Sequence, residues 1–151
     1  MDESGRIPNL AGIKYTFESL YEYNRCRRYK DGKYDMLHGQ DETILPSLAM
    51  GGAQGGIGGT TNYNGRVLTG IIDAWTKGDL EAARRLQDYA QDVIDVICCF
   101  RGNIVGGKRI MKLIGYDMGP NRTPFQNMTD EEEALLKQKL EAIDFFNHCN
   151  K

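Results

Sequence analysis

Apolar and polar positions follow two different periods along the first half of this 151-residue chain. Short apolar segments, each bounded by turn-forming or charged residues, predict three β-strands: Leu10–Thr16, Tyr34–His38 and the glycine-rich Ala53–Thr60. Apolar residues at helical spacing predict a helix after each of them: Phe17–Tyr29, Glu42–Met50 and Asn62–Lys77. Strands that alternate with helices are typical of parallel β/α units, so the pattern predicts an α/β fold.

The second half of the chain has helical patterns only. Asp79 precedes a long amphipathic segment that runs to about Cys98, and a further helix is expected over Asn103–Ile114. Gly115–Asn127 carries two prolines and is predicted as a loop. Thr129 begins the sequence T-D-E-E, a capping box that opens a terminal helix to Phe146. We therefore expect three β/α units over residues 1–78 and a helical extension packed on them over 79–151.

Composition and charge argue against several kinds of binding partner and against secretion. The net charge of −2 and the short apolar runs argue against nucleic acid or membrane as a partner. The N-terminal MDESGRIPN has no apolar segment of the signal-peptide kind. The four cysteines form no C-x-x-C pair and lie in no histidine cluster, which indicates reduced thiols and no zinc site. A cytoplasmic protein is expected.

Lys14 is the first candidate for chemistry, because it lies among apolar residues in LAGIKYT. A lysine kept neutral by dry surroundings attacks a carbonyl to form a Schiff base, and α/β barrels carry their chemistry at the carboxyl ends of strands. The alternative is a lysine on an edge strand whose ammonium group extends into water. The strand pattern alone favours this second interpretation.

Two further motifs follow the second and third predicted strands. In HGQDE, Asp41 and Glu42 are able to bind ligand hydroxyls or to cap a helix, and Gly39 allows close backbone approach. In GGIGGTTN, the order of residues differs from that of phosphate-binding loops, so Gly58, Gly59 and Thr60 are expected to form the floor of a pocket. Because all three motifs end strands of a parallel sheet, we expect them to converge on one edge.

In this order and at these spacings, the motifs resemble the C-terminal half of the class I aldolases of the dihydrodipicolinate synthase and N-acetylneuraminate lyase family. GIKYT is similar to the strand-six motif of that family, which implies that Lys14 is the Schiff-base lysine and that Thr16 lines a sugar site. HGQDE resembles the lyase motif that contacts the substrate, here through Gly39, Asp41 and Glu42.

GGIGGTTN is similar to the strand-eight motif, with Gly59 where the lyases often have serine. The resemblance implies strands six to eight of a (β/α)₈ TIM barrel, followed by a C-terminal helical extension. A complete barrel takes roughly 250 residues, more than this chain has. The implied reaction is cleavage of N-acetylneuraminate to N-acetylmannosamine and pyruvate. It needs no metal or organic cofactor, because the iminium ion formed on the lysine accepts the electrons.

The family's proton-shuttling tyrosine on strand five and its carboxylate-binding Gly/Ser/Thr loop have no counterpart in these 151 residues. The resemblance therefore implies a complementary polypeptide carrying strands one to five, a chain that is inactive alone, and a tetramer-like assembly of barrels. Three alternatives remain. They are another pyruvate-dependent aldolase or a synthase-like enzyme, an inactive half-barrel or non-enzymatic partner subunit, and a small open α/β ligand-binding domain.

Overall fold

The computed structural model describes residues 2–51 and 53–150. Its three strands form one parallel sheet in the order β1 (Gly12–Tyr15), β2 (Asp35–His38) and β3 (Ala53–Gly56). The predicted alternation of strands and helices is confirmed. Each strand is shorter than its apolar segment, since the pairing register covers only the residues that face a neighbouring strand.

The register determines which side chains share a face of the sheet. Tyr15 pairs with His38, and His38 pairs with Gly56, at the carboxyl end of the strands. His38 is 1% exposed and contacts Tyr23, so this face packs against the first helix. Lys14 points to the opposite face, because successive side chains alternate across a strand.

Lys14 is exposed in the structure. None of residues 10–16 is fully buried in the described chain, and the dry surroundings that the Schiff-base interpretation requires for Lys14 stay a prediction. The helices of this chain cover the Tyr15 and His38 face, which leaves the Lys14 face open to solvent.

Three helices accompany the sheet: α1 (Leu20–Arg28), α2 (Ile44–Ala49) and α3 (Thr61–Thr76). The first begins three residues later than predicted, because Ser19 Oγ accepts a hydrogen bond from the Glu22 backbone nitrogen at 3.2 Å and fixes the start. A 3₁₀ turn, Asp41–Thr43, precedes α2. Asp41 does not cap that helix, since its carboxylate is bonded elsewhere.

The second half forms four helices: α4 (Leu80–Cys98), α5 (Lys108–Leu113), α6 (Asp130–Ala142) and α7 (Phe145–His148). Asp79 Oδ1 caps α4 by accepting from the Ala82 backbone nitrogen at 2.9 Å, as predicted. The capping box at Thr129 is also confirmed. None of the helices within the described ranges is long and apolar enough to cross a membrane.

Two predicted helices are interrupted. The segment Asn103–Ile114 opens with a π-helical turn, Asn103–Gly107, before α5 begins. The terminal helix breaks at Asp144, whose φ of 56° is left-handed, and resumes as α7. The spacing of apolar residues does not predict either break, because both depend on how these segments pack against other helices.

The two halves share their apolar core. Ala90 of α4 is fully buried with Ile44 of α2 and with Val67 and Ile71 of α3. The Gln87 side chain also links them, with Nε2 donating to the Asp41 carbonyl at 3.1 Å and Oε1 accepting from the Leu45 nitrogen at 2.9 Å. The helical extension thus holds the loop after β2 in place. A domain division after residue 78 stays a prediction.

Candidate active site

The three motifs meet at the carboxyl edge of the sheet. The backbone nitrogen of Gly39 donates to the Tyr15 carbonyl at 2.8 Å, and that of Ile57 donates to the His38 carbonyl at 2.8 Å. These bonds continue the strand pairing one residue past each strand. The loops that carry Thr16, Gly39 and Gly58 therefore leave the sheet side by side.

Lys14, Thr16 and Gly39 form the first part of the site. A Cβ added at Gly39 would collide with Thr16 Oγ1 and would lie 2.9 Å from Lys14 Cε. The backbone at residue 39 thus comes directly against both side chains, and a larger residue there would have to displace them. Lys14 and Thr16 are both exposed, so a ligand has access to the amine and the hydroxyl together.

Asp41 forms the second part, and it is buried. Its Oδ2 accepts from the Thr60 backbone nitrogen at 2.8 Å and from Thr60 Oγ1 at 2.6 Å. A Cβ at Gly58 would collide with the same carboxylate. Asp41 therefore ties the loop after β2 to the start of α3. Its expected contact with a ligand hydroxyl stays a prediction.

Glu42 is the half-buried member of the acidic pair. Its backbone carbonyl accepts from Gln91 Nε2 of α4 at 2.9 Å, which fixes the main chain at this point. Within the part of the chain that the structure describes, its carboxylate makes no hydrogen bond or ion pair. The two adjacent carboxylates thus differ, since that of Asp41 is engaged inside the chain and that of Glu42 is available to a ligand.

Asn103 is a residue at this edge that the sequence analysis missed. A Cβ at Gly59 would stand 2.6 Å from Asn103 Cγ, so the asparagine amide occupies the space beside that glycine. The hydroxyl of Tyr63, a residue that is 1% exposed, donates to Asn103 Oδ1 at 2.8 Å. Burial raises the pKa of Tyr63, so the hydroxyl keeps its proton and remains a donor. No motif marks Asn103, since it lies in a segment with helical periodicity more than forty residues from Gly59.

His38 does not belong to the reactive face. Its Nε2 lies 2.7 Å from Thr43 Oγ1, and its ring packs edge-on against Tyr23. Burial lowers the pKa of His38, which keeps the imidazole neutral on the helix-covered side of the sheet. Among the described residues, no group of three or more His, Cys, Asp or Glu side chains is arranged to hold a metal ion.

The sequence and the structure both match known aldolases. The profile of the Dihydrodipicolinate synthetase family matches residues 3–143. N-acetylneuraminate lyase of Mus musculus is 33% identical over 144 residues, which cover 94% of this chain and 45% of that protein.

Solved structures give the same picture. The Proteus mirabilis N-acetylneuraminate lyase superposes with a TM-score of 0.88 at 34% identity, covering 95% of this chain and 48% of that one. The lyase of Fusobacterium nucleatum in complex with pyruvate superposes with a TM-score of 0.82 at 26% identity, covering 94% and 47%. These neighbours are TIM-barrel aldolases, so the predicted fold class is confirmed.

The chain spans about half the length of the curated relatives it matches. The matched half includes the parallel strands, the loops at their carboxyl edge and the helices that pack behind them. With a family profile that covers nearly all of its residues, the chain belongs to the dihydrodipicolinate synthetase family and carries part of that family's (β/α)₈ barrel.

Proposed function

We propose that this chain is the lysine-bearing part of an aldolase that cleaves N-acetylneuraminate to N-acetylmannosamine and pyruvate. One observation carries the proposal: an accessible Lys14 amine lies beside Thr16 and Gly39 at the carboxyl edge of a parallel sheet. The similarity to N-acetylneuraminate lyases over most of this chain supports the choice of substrate.

In the proposed mechanism the neutral Lys14 Nζ adds to the ketone carbon of the open-chain sugar acid. Loss of water gives an iminium ion, which withdraws electrons from the neighbouring carbon–carbon bond. That bond breaks as the hydroxyl proton of the leaving fragment is removed, which releases the aldehyde N-acetylmannosamine and leaves the enamine of pyruvate. Protonation of the enamine carbon and hydrolysis of the iminium then return pyruvate and the free amine.

The sugar chain would lie along the remaining residues of the edge. We assign Glu42 as the carboxylate that accepts hydrogen bonds from substrate hydroxyls, because its side chain is not engaged within the described chain. Thr16 and the Gly39 backbone lie next to Lys14 and would contact the part of the substrate nearest the iminium. Asp41 would hold the loop through Oδ2 and offer Oδ1 to the substrate. Among the described residues, Oδ1 accepts one long hydrogen bond, from Thr61 Oγ1 at 3.4 Å.

We further propose that a complementary polypeptide with barrel strands one to five completes the site. β1 and β3 each pair with β2 alone among the described strands, so each has a free edge for another strand. Such a partner would cover the open face over Lys14, exclude water from the amine and supply the proton-shuttling tyrosine. Assembly of the completed barrels into a tetramer-like oligomer is part of the same proposal.

Borohydride trapping tests the chemistry. The chain is purified with its complementary half, or with the N-terminal half of the Proteus mirabilis lyase, then treated with pyruvate and borohydride and measured by intact mass. We expect one reduced pyruvate adduct, which peptide mapping places on Lys14. Lys14→Arg should abolish the adduct and keep the positive charge, whereas Lys77→Arg, at the exposed end of α3, should leave it unchanged.

The outcomes separate the alternatives. An adduct without turnover of N-acetylneuraminate, or turnover that is unaffected by Glu42→Gln, would indicate another pyruvate-dependent aldolase. Absence of any adduct in an assembled complex would exclude the Schiff-base mechanism and favour a non-enzymatic subunit. A monomeric chain that binds neither half would contradict the proposed partner.

A further inference from the structure

We infer that Asn103 is a specificity-determining residue whose amide nitrogen donates a hydrogen bond to the sugar part of the substrate. The amide lies in the space that the Cβ of a larger residue at position 59 would occupy. The inference rests on the proposed function. It follows from how three residues of different elements hold the Asn103 side chain at the carboxyl edge.

Two glycines make room for the Asn103 side chain. A Cβ at Gly59 would stand 2.6 Å from Asn103 Cγ, and a Cβ at Gly107 would stand 3.0 Å from the same atom. The first distance is too short for a real side chain, and a Cβ at Gly107 would also collide with Asn103 Oδ1, so the asparagine amide is accommodated between two positions without a Cβ. Gly59 lies in the loop that follows β3, and the amide is thereby held at the edge that also carries Lys14 and Asp41.

Tyr63 determines which end of the amide faces Gly59. Its buried hydroxyl donates to Asn103 Oδ1 at 2.8 Å, which occupies the carbonyl oxygen. The nitrogen Nδ2 is then the atom that comes closest to the Gly59 position. Within the described residues Nδ2 donates to no other group, so its N–H bonds are available to a ligand. Asn103 is exposed, which leaves the amide accessible.

An amide nitrogen suits a polyhydroxylated substrate, because it donates to hydroxyl or acetamido oxygens. Gly59 itself contributes no hydrogen-bonding side chain at this position. Here the hydrogen-bonding group comes instead from Asn103, a residue of the helical extension. This assignment concerns sugar binding and leaves pyruvate capture by Lys14 unchanged.

Three variants isolate the donor. Asn103→Asp keeps the size of the side chain and the oxygen that accepts from Tyr63, but it removes both N–H donors. Asn103→Ala removes the whole group. Gly59→Ser combined with Asn103→Gly moves a hydroxyl into the vacated space. Asn147→Ala is the matched control, because Asn147 is exposed on α7 and, among the described residues, its side chain bonds only Asp144.

The measurement compares two readouts on the same assembly: the KM for N-acetylmannosamine in the synthetic direction, and pyruvate trapping at Lys14. Loss of one donor is expected to raise that KM on the order of tenfold in Asn103→Asp and Asn103→Ala, with trapping unchanged. The double variant, Gly59→Ser with Asn103→Gly, should recover most of the loss, and the control should match the parent chain.

An unchanged KM in Asn103→Asp and Asn103→Ala, with pyruvate still trapped, would overturn the role of Asn103 and leave the proposed function standing. A fall in pyruvate trapping as large as the rise in KM would also overturn it, since a general disturbance of the site would then explain both. If the parent assembly traps no pyruvate, the proposed function fails, and the assignment of Asn103 fails with it.

Discussion

The Asp41 carboxylate and Thr60 are joined by two hydrogen bonds to a single oxygen, at 2.8 Å from the backbone nitrogen and 2.6 Å from Oγ1. Asp41 is 2% exposed and Thr60 is 4% exposed, so water does not compete for these bonds. The pair connects the loop after β2 to the residue that precedes α3. The position of one site loop thus depends on the other.

Replacing Asp41 should destabilise the chain as well as the site. Asp41→Ala leaves the buried Thr60 nitrogen and hydroxyl without an acceptor, so the free energy of unfolding should fall by about 2–3 kcal/mol. Asp41→Asn keeps the shape and one acceptor oxygen and should cost less. Urea denaturation followed by circular dichroism measures both. Asp88→Asn, at an exposed position of α4, serves as the control, and an Asp41→Ala variant as stable as the parent would contradict the prediction.

Gly39→Ala should slow pyruvate trapping while leaving the stability of the fold almost unchanged. The new methyl group would collide with Thr16 Oγ1 and press on Lys14 Cε, both of which belong to exposed side chains that are free to move. We expect a loss of stability below about 1 kcal/mol, but at least a roughly tenfold slower pyruvate trapping, because the amine is displaced. Trapping rates by mass spectrometry test this. Gly5→Ala, where a methyl group meets nothing within 4 Å, should trap as the parent does.

The sequence predicts where the candidate site lies better than it predicts the exposure and the hydrogen bonds of the side chains there. The three strands, their parallel arrangement and the convergence of GIKYT, HGQDE and GGIGGTTN follow from periodicity and from the rules of β/α units. The exposure of Lys14 does not follow, because an apolar segment does not tell which face of a sheet its neighbours cover. Asp41 was expected either to cap a helix or to bind a ligand, and its bond to Thr60 depends on a contact between separate loops.

Asn103 shows the same limit more strongly. Its neighbours Gly59 and Tyr63 precede it by forty or more positions, and only the packing of α5 and its π-helical first turn against α3 brings them together. A glycine in GGIGGTTN indicates a close approach, but the sequence does not name the group that approaches. The structure identifies that group.

Gly59 and Asn103 should be energetically coupled. Gly59→Ala places a methyl group against the Asn103 amide and should cost about 1–3 kcal/mol of unfolding free energy, as overpacking does. In an Asn103→Ala background the space is empty, and the same substitution should cost much less. A double-mutant cycle by urea denaturation measures the coupling. The cycle repeated with Asn147→Ala should give additive effects, and additivity between Gly59 and Asn103 would contradict the arrangement.

The ion pair between Arg101 and Glu132 should make stability depend on acid pH. Arg101 binds both carboxylate oxygens of Glu132, at 2.6 and 2.8 Å, across the gap between the end of α4 and the start of α6. This pairing, with the hydrogen bond from the Thr129 nitrogen, lowers the pKa of Glu132 from 4.5 to about 2. The folded chain therefore holds the carboxylate ionised where the unfolded chain would protonate it.

A carboxyl whose pKa is lower in the folded state stabilises the fold above the unfolded pKa and loses that contribution as the pH falls through the folded value. The stabilisation from Glu132 should thus be complete above pH 4.5 and should disappear between pH 4.5 and about 2. In Glu132→Gln, the urea midpoint of unfolding should change less with pH over that interval. Arg101→Lys, which retains the charge but loses the two-point geometry, should give an intermediate slope. A Glu132→Gln profile parallel to that of the parent chain would show that this pair does not contribute.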